Sequence, residues 1–382
     1  MRRGTWIRWA ALGLIGLLVC GVGLAAAVTL PRRDAIRCLL AFSGAPPGDD
    51  GALLARQRVV VGDEARLGFR TVLVQAAPQT PAPVLVFVHG VAQKGLTDAR
   101  ILQAVDSFAQ AGFTVVAPQV PLLVSPPDAD DDERRLQTLM ASVEAGLIPG
   151  GKPGRFGLIG VRVGGALSLR AASSYAGSGL RAVFAIGAPD DLRTLSRIWF
   201  SLPRTVDAGT WTFEDQRRHD AAFARNVVFR AALGTRVPDV NDQVVLRAWL
   251  EHATDPTFVP ATLRSDAARR FAALVTSGPG TWADAREDLV EDAWPLMRGF
   301  STASVGPRLS RLSGITVFLL HGHGDSLVPA SEYRRLRDRL AAHTVVVGLE
   351  SRMLGHVGVE DVGIGEQLDH VVLVDDFFDT IR

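Results

Sequence analysis

Apolar positions along this chain follow two rhythms. Short, nearly unbroken apolar runs occur at Val84 to Val88, Phe113 to Ala117, Phe156 to Ile159, Arg181 to Ile186, Ile315 to Leu320 and Thr344 to Leu349. Runs of that length, solid rather than alternating, suit strands covered on both faces. Between them the apolar residues return every third or fourth position, over Leu96 to Ala111, Arg134 to Gly146, Ala166 to Ala172, Ser331 to Leu340 and Gly365 to Ile381. That spacing predicts helices. Gly112 supplies a stop for the first of them. Ahead of the series, Arg58 to Val61 and Arg66 to Val74 flank Gly62-Asp63-Glu64, a hairpin signal. Repeated strand, helix, strand predicts an α/β protein built on a mostly parallel sheet with right-handed crossovers.

From Asp191 to about Ser313 the strand rhythm stops. Amphipathic segments take over at Phe213 to Leu233, Asp242 to His252, Ser265 to Thr276 and Ala283 to Phe300. At the other end, Ile7 to Leu30 is apolar apart from Arg8 and Thr29. Its stretch from Trp9 to Leu30 is 22 residues, enough at about 1.5 Å per residue to cross a ~30 Å hydrocarbon layer. Arg2, Arg3 and Arg8 precede that stretch, Trp6 and Trp9 sit at interfacial positions, and Pro31-Arg32-Arg33 ends it. A single membrane-spanning anchor is the expectation, with the folded part on the extracytoplasmic side. A cleaved signal peptide followed by secretion is the alternative, since Leu24-Ala25-Ala26-Ala27 offers small residues at a cleavage point. The length of the run and the arginines after it favour the anchor.

Composition narrows the choice of function. The 382 residues are 47% hydrophobic and 21% charged, with 41 basic and 40 acidic side chains and a net charge of +1. No basic footprint points to nucleic acid. Cys20 and Cys38 precede the expected globular part, so it needs neither a disulfide nor a cysteine-based metal site. Nothing calls for a metal or another cofactor. The acid run Asp128 to Glu133 leads into a helix, where it favours the macrodipole.

The most informative stretch is Arg155 to Leu167, reading RFGLIGVRVGGAL. A short buried strand runs into Gly160, Gly164 and Gly165, which remove side chains where a sharp turn presses a helix back onto its strand. This resembles the nucleophile elbow, G-x-S-x-G, of the α/β-hydrolase superfamily, with Arg162 at the serine position. The resemblance extends over about Arg58 to Arg382. It implies an α/β-hydrolase fold with a first core part at 58–190, a helical cap at 191–313 roofing the site, and a second core part at 314–382; ahead of these stand the expected membrane anchor or signal peptide at 1–33 and a linker at 34–57.

The same resemblance implies the site. Asp325, in His321-Gly322-His323-Gly324-Asp325, holds the place of the triad acid, and His356, 31 residues on, that of the base. His370 is the weaker competitor, since it lies among helix residues. His89-Gly90-Val91 resembles the oxyanion loop, in which the backbone N–H groups of Val91 and Val163 would face a developing oxyanion. Arginine cannot act as nucleophile, because its guanidinium stays protonated and its nitrogens attack poorly. Loss of a triad nucleophile costs about 10⁶ in turnover. Conventional serine-hydrolase activity is therefore not expected. Arg162 would pair with Asp325, hold a small anionic ligand in the capped pocket, or reflect drift. Two other readings stay open at this level. One is an active ester or acyl hydrolase using an unrecognised nucleophile or a water activated by His356; the other is a scaffold that binds a partner through the cap.

Overall fold

Among the described residues eight strands form the sheet, and their side chains explain the layers on either side of it. In the computed structural model the described residues are 32–43, 58–61, 71–75, 81–90, 96, 98–120, 129–202, 213–252, 260, 262–325, 327–352 and 364–382. The strands are β1 (Arg58–Val61), β2 (Thr71–Gln75), β3 (Ala82–Val88), β4 (Thr114–Pro118), β5 (Gly151–Val161), β6 (Leu180–Ile186), β7 (Thr316–Gly322) and β8 (Val346–Ser351). They form one sheet in the order β1-β2-β4-β3-β5-β6-β7-β8. β1 and β2 pair antiparallel, but Val61 lies opposite Thr71, so positions 62–70 separate the paired strands rather than the turn at Gly62-Asp63-Glu64 that the sequence suggests, and β2 runs antiparallel to β4. The six strands from β3 to β8 are parallel.

Successive side chains of a strand point to opposite faces. Val84, Val86 and Val88 join one core layer, whereas Leu85 and Phe87 join the other. The first layer contains α3 (Ala129–Glu144), α4 (Val163–Ser174) and α10 (Ala330–Ala341). The second contains α1 (Arg33–Ser43), α2 (Ala99–Gln110) and α11 (Ile364–Ile381). Rings from α11 lock the second layer down, Phe377 lying 5.2 Å from Phe184 and 5.4 Å from Phe318 between centroids, and Phe378 4.7 Å from Phe113.

Between β6 and β7 the described residues form helices and their connections, with no strand among them: α5 (Leu192–Ser201), α6 (Phe213–Arg236), α7 (Val240–His252), α8 (Asp266–Thr276), α9 (Pro279–Met297), then 3₁₀ turns at Arg298–Phe300 and Thr302–Leu312. This insertion shares one continuous apolar core with α3, α4 and α10. Ionic contacts fasten it. Arg170 of α4, almost buried, donates to Glu133 and Asp130 of α3. From the 3₁₀ turns, Arg308 reaches Glu133 at 2.8 Å and Arg298 reaches Asp130 at 3.2 Å.

Three expectations change. The sequence places residue 33 in the anchor and 34–43 in the linker, but 33–43 form α1, and Ala35 and Cys38 are buried against α2 and α11. Cys38 is thus part of the folded domain; burial pushes its thiol far above the usual range. The acid run is not merely a helix preface. The helix begins at Ala129, so Asp130 to Glu133 lie within it, and Asp130 and Glu133 serve as the clasp for the insertion. The third is α5, which no periodic segment anticipated. Among the described residues no helix is long and apolar enough to cross a membrane; the run Ile7 to Leu30 lies outside them.

Candidate active site

The parallel strands bring the ends of β5 and β7 to the same edge of the sheet, and there the chain places Arg162 and Asp325. Arg162 follows the last residue of β5 and is the N-cap of α4, with φ 58° and ψ −125°. It is the sole non-glycine residue with positive φ among the described residues. A side chain in that region costs on the order of 1–3 kcal/mol and persists where the surroundings over-determine it. They do so here. The Arg162 N–H donates to the carbonyl of Ile186 at 2.8 Å, and its own carbonyl accepts from Gly165 N–H at 2.9 Å.

The elbow glycines meet backbone on every side. A Cβ on Gly160 would lie 2.5 Å from Gly164 O and 2.5 Å from Gly165 Cα, and one on Gly164 would lie 2.4 Å from His89 O. Gly165 packs against Ala188. The strand-turn-helix geometry read from the sequence is therefore present in full, with arginine at its apex.

The Arg162 guanidinium donates to Asp325 Oδ2. The other carboxylate oxygen of Asp325 accepts the N–H groups of Leu327 and Val328, both at 2.9 Å. The Asp325 side chain is 3% exposed and that of Arg162 21%. A buried carboxylate with three donors is a satisfied anion, and the cation that neutralises it keeps one side toward solvent. Gly187, at φ 60°, lies under the arginine; a Cβ there would come within 3.2 Å of Nη1. Of the roles open to Arg162, pairing with Asp325 is the one observed.

The remaining predicted residues fall as follows. Val163 opens α4 and packs against the larger core. Val91 and His356 lie outside the described residues. Within the loop ahead of Val91, His89 is buried: its Nδ1–H donates to Gly90 O at 2.6 Å and its Nε2 accepts from Val120 N–H at 3.3 Å. Burial pulls its pKa down, which keeps the ring neutral. His321 is likewise held neutral by burial, with Nε2–H donating to Val328 O at 2.8 Å. His370 is buried within α11 and donates from Nδ1 to Glu366 O, 2.8 Å away, a bond internal to its helix.

Sequence reasoning missed two residues that support the acid loop and its neighbour. Trp199, on α5, donates from its indole N–H to Leu327 O at 3.0 Å, so the insertion holds the loop that carries Asp325. Trp199→Phe should lower stability by about 1 kcal/mol through that lost bond, measured by chemical denaturation. Glu332, fully buried on α10, accepts from the N–H groups of Asp190 and Asp191 at 3.0 and 2.7 Å and fixes the end of β6. An acid in a first helical turn was the only local signal it offered.

Near the acid loop, Glu350 is drawn down to about 2, first by hydrogen bonds from Arg334 at 2.9 and 2.7 Å and further by His323. Its folded pKa lies below the unfolded value, so the stability it adds is complete above the unfolded pKa and is lost as pH falls toward 2. Glu350 should still be ionised at about pH 3, where an ordinary glutamate is protonated; a carboxyl NMR titration reads this directly. Among the described residues no group of three or more His, Cys, Asp or Glu is placed to hold a metal ion.

No protein-family model matches the sequence, and no curated protein is significantly similar to it. Solved structures do resemble it. A Legionella pneumophila protein assigned as a hydrolase shares 13% identity over 82% of this chain and 84% of its own, with a TM-score of 0.50. An Acinetobacter baumannii protein assigned as a lipase is 14% identical over 88% of this chain and 99% of its own, with a TM-score of 0.40. A puromycin-hydrolyzing peptidase from Mycobacterium tuberculosis is 14% identical at a TM-score of 0.42, and the chain spans 37% of its length. At such identities the likeness concerns the fold. With the strand order and the glycine-bounded elbow at the end of β5, the likeness to the Legionella structure establishes that this chain has the α/β-hydrolase fold.

Proposed function

We propose that this is a membrane-anchored protein of α/β-hydrolase fold, related to ester and acyl hydrolases, that lacks serine-hydrolase activity and binds a small anion at Arg162. The observation that carries the reading is the Arg162–Asp325 pair at the elbow apex. In acyl transfer the apex residue must give up a proton as it attacks a carbonyl. A guanidinium has no such chemistry, and here it also engages the carboxylate that would otherwise orient a histidine. What supports an anion there is a cation with 21% of its side chain exposed, beside the N-terminus of α4, a setting that suits a carboxylate or phosphate oxygen.

Wild-type protein should remain unlabelled by a fluorophosphonate probe and should not turn over p-nitrophenyl esters. Labelling traced to a residue at the elbow would refute the reading. Arg162→Ser tests it from the other side. Gain of ester hydrolysis that disappears again in Arg162→Ser/His356→Ala would identify a pocket still assembled around a lost nucleophile. Binding of small carboxylates and phosphates to the wild type, read by calorimetry and abolished in Arg162→Met, is the expected outcome for the anion.

A further inference from the structure

The two edges of the parallel sheet carry different things. Arg162 and Asp325 are at the C-terminal edge, directly after β5 and β7. The start of α1 is at the opposite edge. Asp34 bonds Arg382 at 2.6 Å, Arg382 also donates to Ala111 O at 3.1 Å, and its guanidinium lies over the Phe113 ring, just ahead of β4. Beside them, Arg155, early in β5, donates to Thr380 O at 2.8 Å. From Arg155 to Val161 the strand rises six residues, about 20 Å. Arg32 is held to Asp375 at 3.5 Å, and only Pro31 separates it from the apolar run that ends at Leu30. The described part of the chain therefore begins at the N-terminal edge, at Arg32.

The surface there is basic on its β5–β6 side. Lys152 and Arg155 sit in the irregular start of β5, where the pairing with β3 shifts register, and with Arg181 of β6 and Arg33 of α1 they are exposed. Nearby acids are engaged: Asp34 by Arg382, and Glu144 by Tyr175 and Ser178. The exposed Asp376 and Asp379 belong to the outer face of α11. Resting on the membrane-anchor part of the proposed function, we infer that the N-terminal edge of the sheet is the face turned to the membrane, against anionic phospholipid headgroups. The Arg162–Asp325 pair then opens on the far side of the domain, and its ligand arrives from water rather than from the bilayer.

The two ends of β8 provide the test, because Val345 is exposed just before the strand and Arg352 just after it. In the full chain carrying Cys20→Ala, with Cys38 buried, Val345→Cys or Arg352→Cys is labelled with a fluorophore. Each is placed in nanodiscs whose headgroups carry a quencher. The label at 345 should be quenched several-fold more than that at 352, and more in phosphatidylglycerol discs than in phosphatidylcholine discs. Lys152→Glu/Arg181→Glu should remove the difference between the two lipids. Equal or reversed quenching at the two ends, in a chain that floats with vesicles, overturns the orientation. Insensitivity to lipid charge overturns the headgroup contact. A chain that fails to float overturns the anchor reading itself, and this inference with it.

Discussion

Replacing Asp325 by alanine should destabilise the protein by about 3–5 kcal/mol, because it takes the buried carboxylate from a partly buried guanidinium and the shared acceptor from two backbone donors at once. Arg162 loses its bonded carboxylate, and the N–H groups of Leu327 and Val328 lose the oxygen that both share. Asp325→Asn should cost less, since the amide oxygen still accepts from the two N–H groups while the charge is gone. Arg162→Met paired with Asp325→Leu should recover the part of the loss that comes from the buried charge, as apolar replacements of similar volume often do for a buried ion pair, while the Leu327 and Val328 N–H groups stay without their acceptor. Denaturant unfolding of the four proteins measures this. A cost of Asp325→Ala below about 1 kcal/mol would show that the pair contributes no more than an exposed salt bridge.

Gly164→Ala should be comparably damaging, at about 3 kcal/mol or more, the upper range for overpacking a site that cannot yield. The new methyl would sit 2.4 Å from His89 O and 2.5 Å from Val88 O, both backbone atoms of the neighbouring strand and its exit. Either α4 must retreat from β3 or the elbow must open. Gly234→Ala is the control: Gly234 is exposed in α6 with nothing within 4 Å of an added Cβ. There alanine should raise stability by about 0.5–1 kcal/mol through helix propensity. Thermal melts of the two variants should move in opposite directions.

Both predictions depend on how local and distant information divide in this chain. The strands β3 to β7 were legible because buried parallel strands read as solid apolar runs, and most of the helices because a single face is apolar; β8 gave the same run although it is an edge strand and only Ser351 in it is buried. The elbow was legible because its glycines are consecutive in sequence with the strand and helix they join. The helix α1 was hidden behind the proline-rich stretch that follows it. α5 was hidden because its apolar residues, Leu192, Leu195, Trp199 and Phe200, lie in a short segment directly after the Gly187-Ala188-Pro189-Asp190 turn that ends β6. The clasp of Asp130 and Glu133 with Arg170 and Arg308 could not be read either, since an acidic first turn looks the same whether it meets solvent or a cation.

The sequence by itself determined the alternation of elements, the sharp turn after β5, and the presence at its apex of a residue that cannot act as a nucleophile. Those are properties of neighbouring residues, set by periodicity, glycine and side-chain chemistry. Only the tertiary structure decided that Arg162 meets Asp325, because 163 positions separate them and only the parallel sheet brings the ends of β5 and β7 together. It also decided that the beginning of α1 and the Arg162 site lie at opposite edges, since strand direction converts order along the chain into sidedness in space.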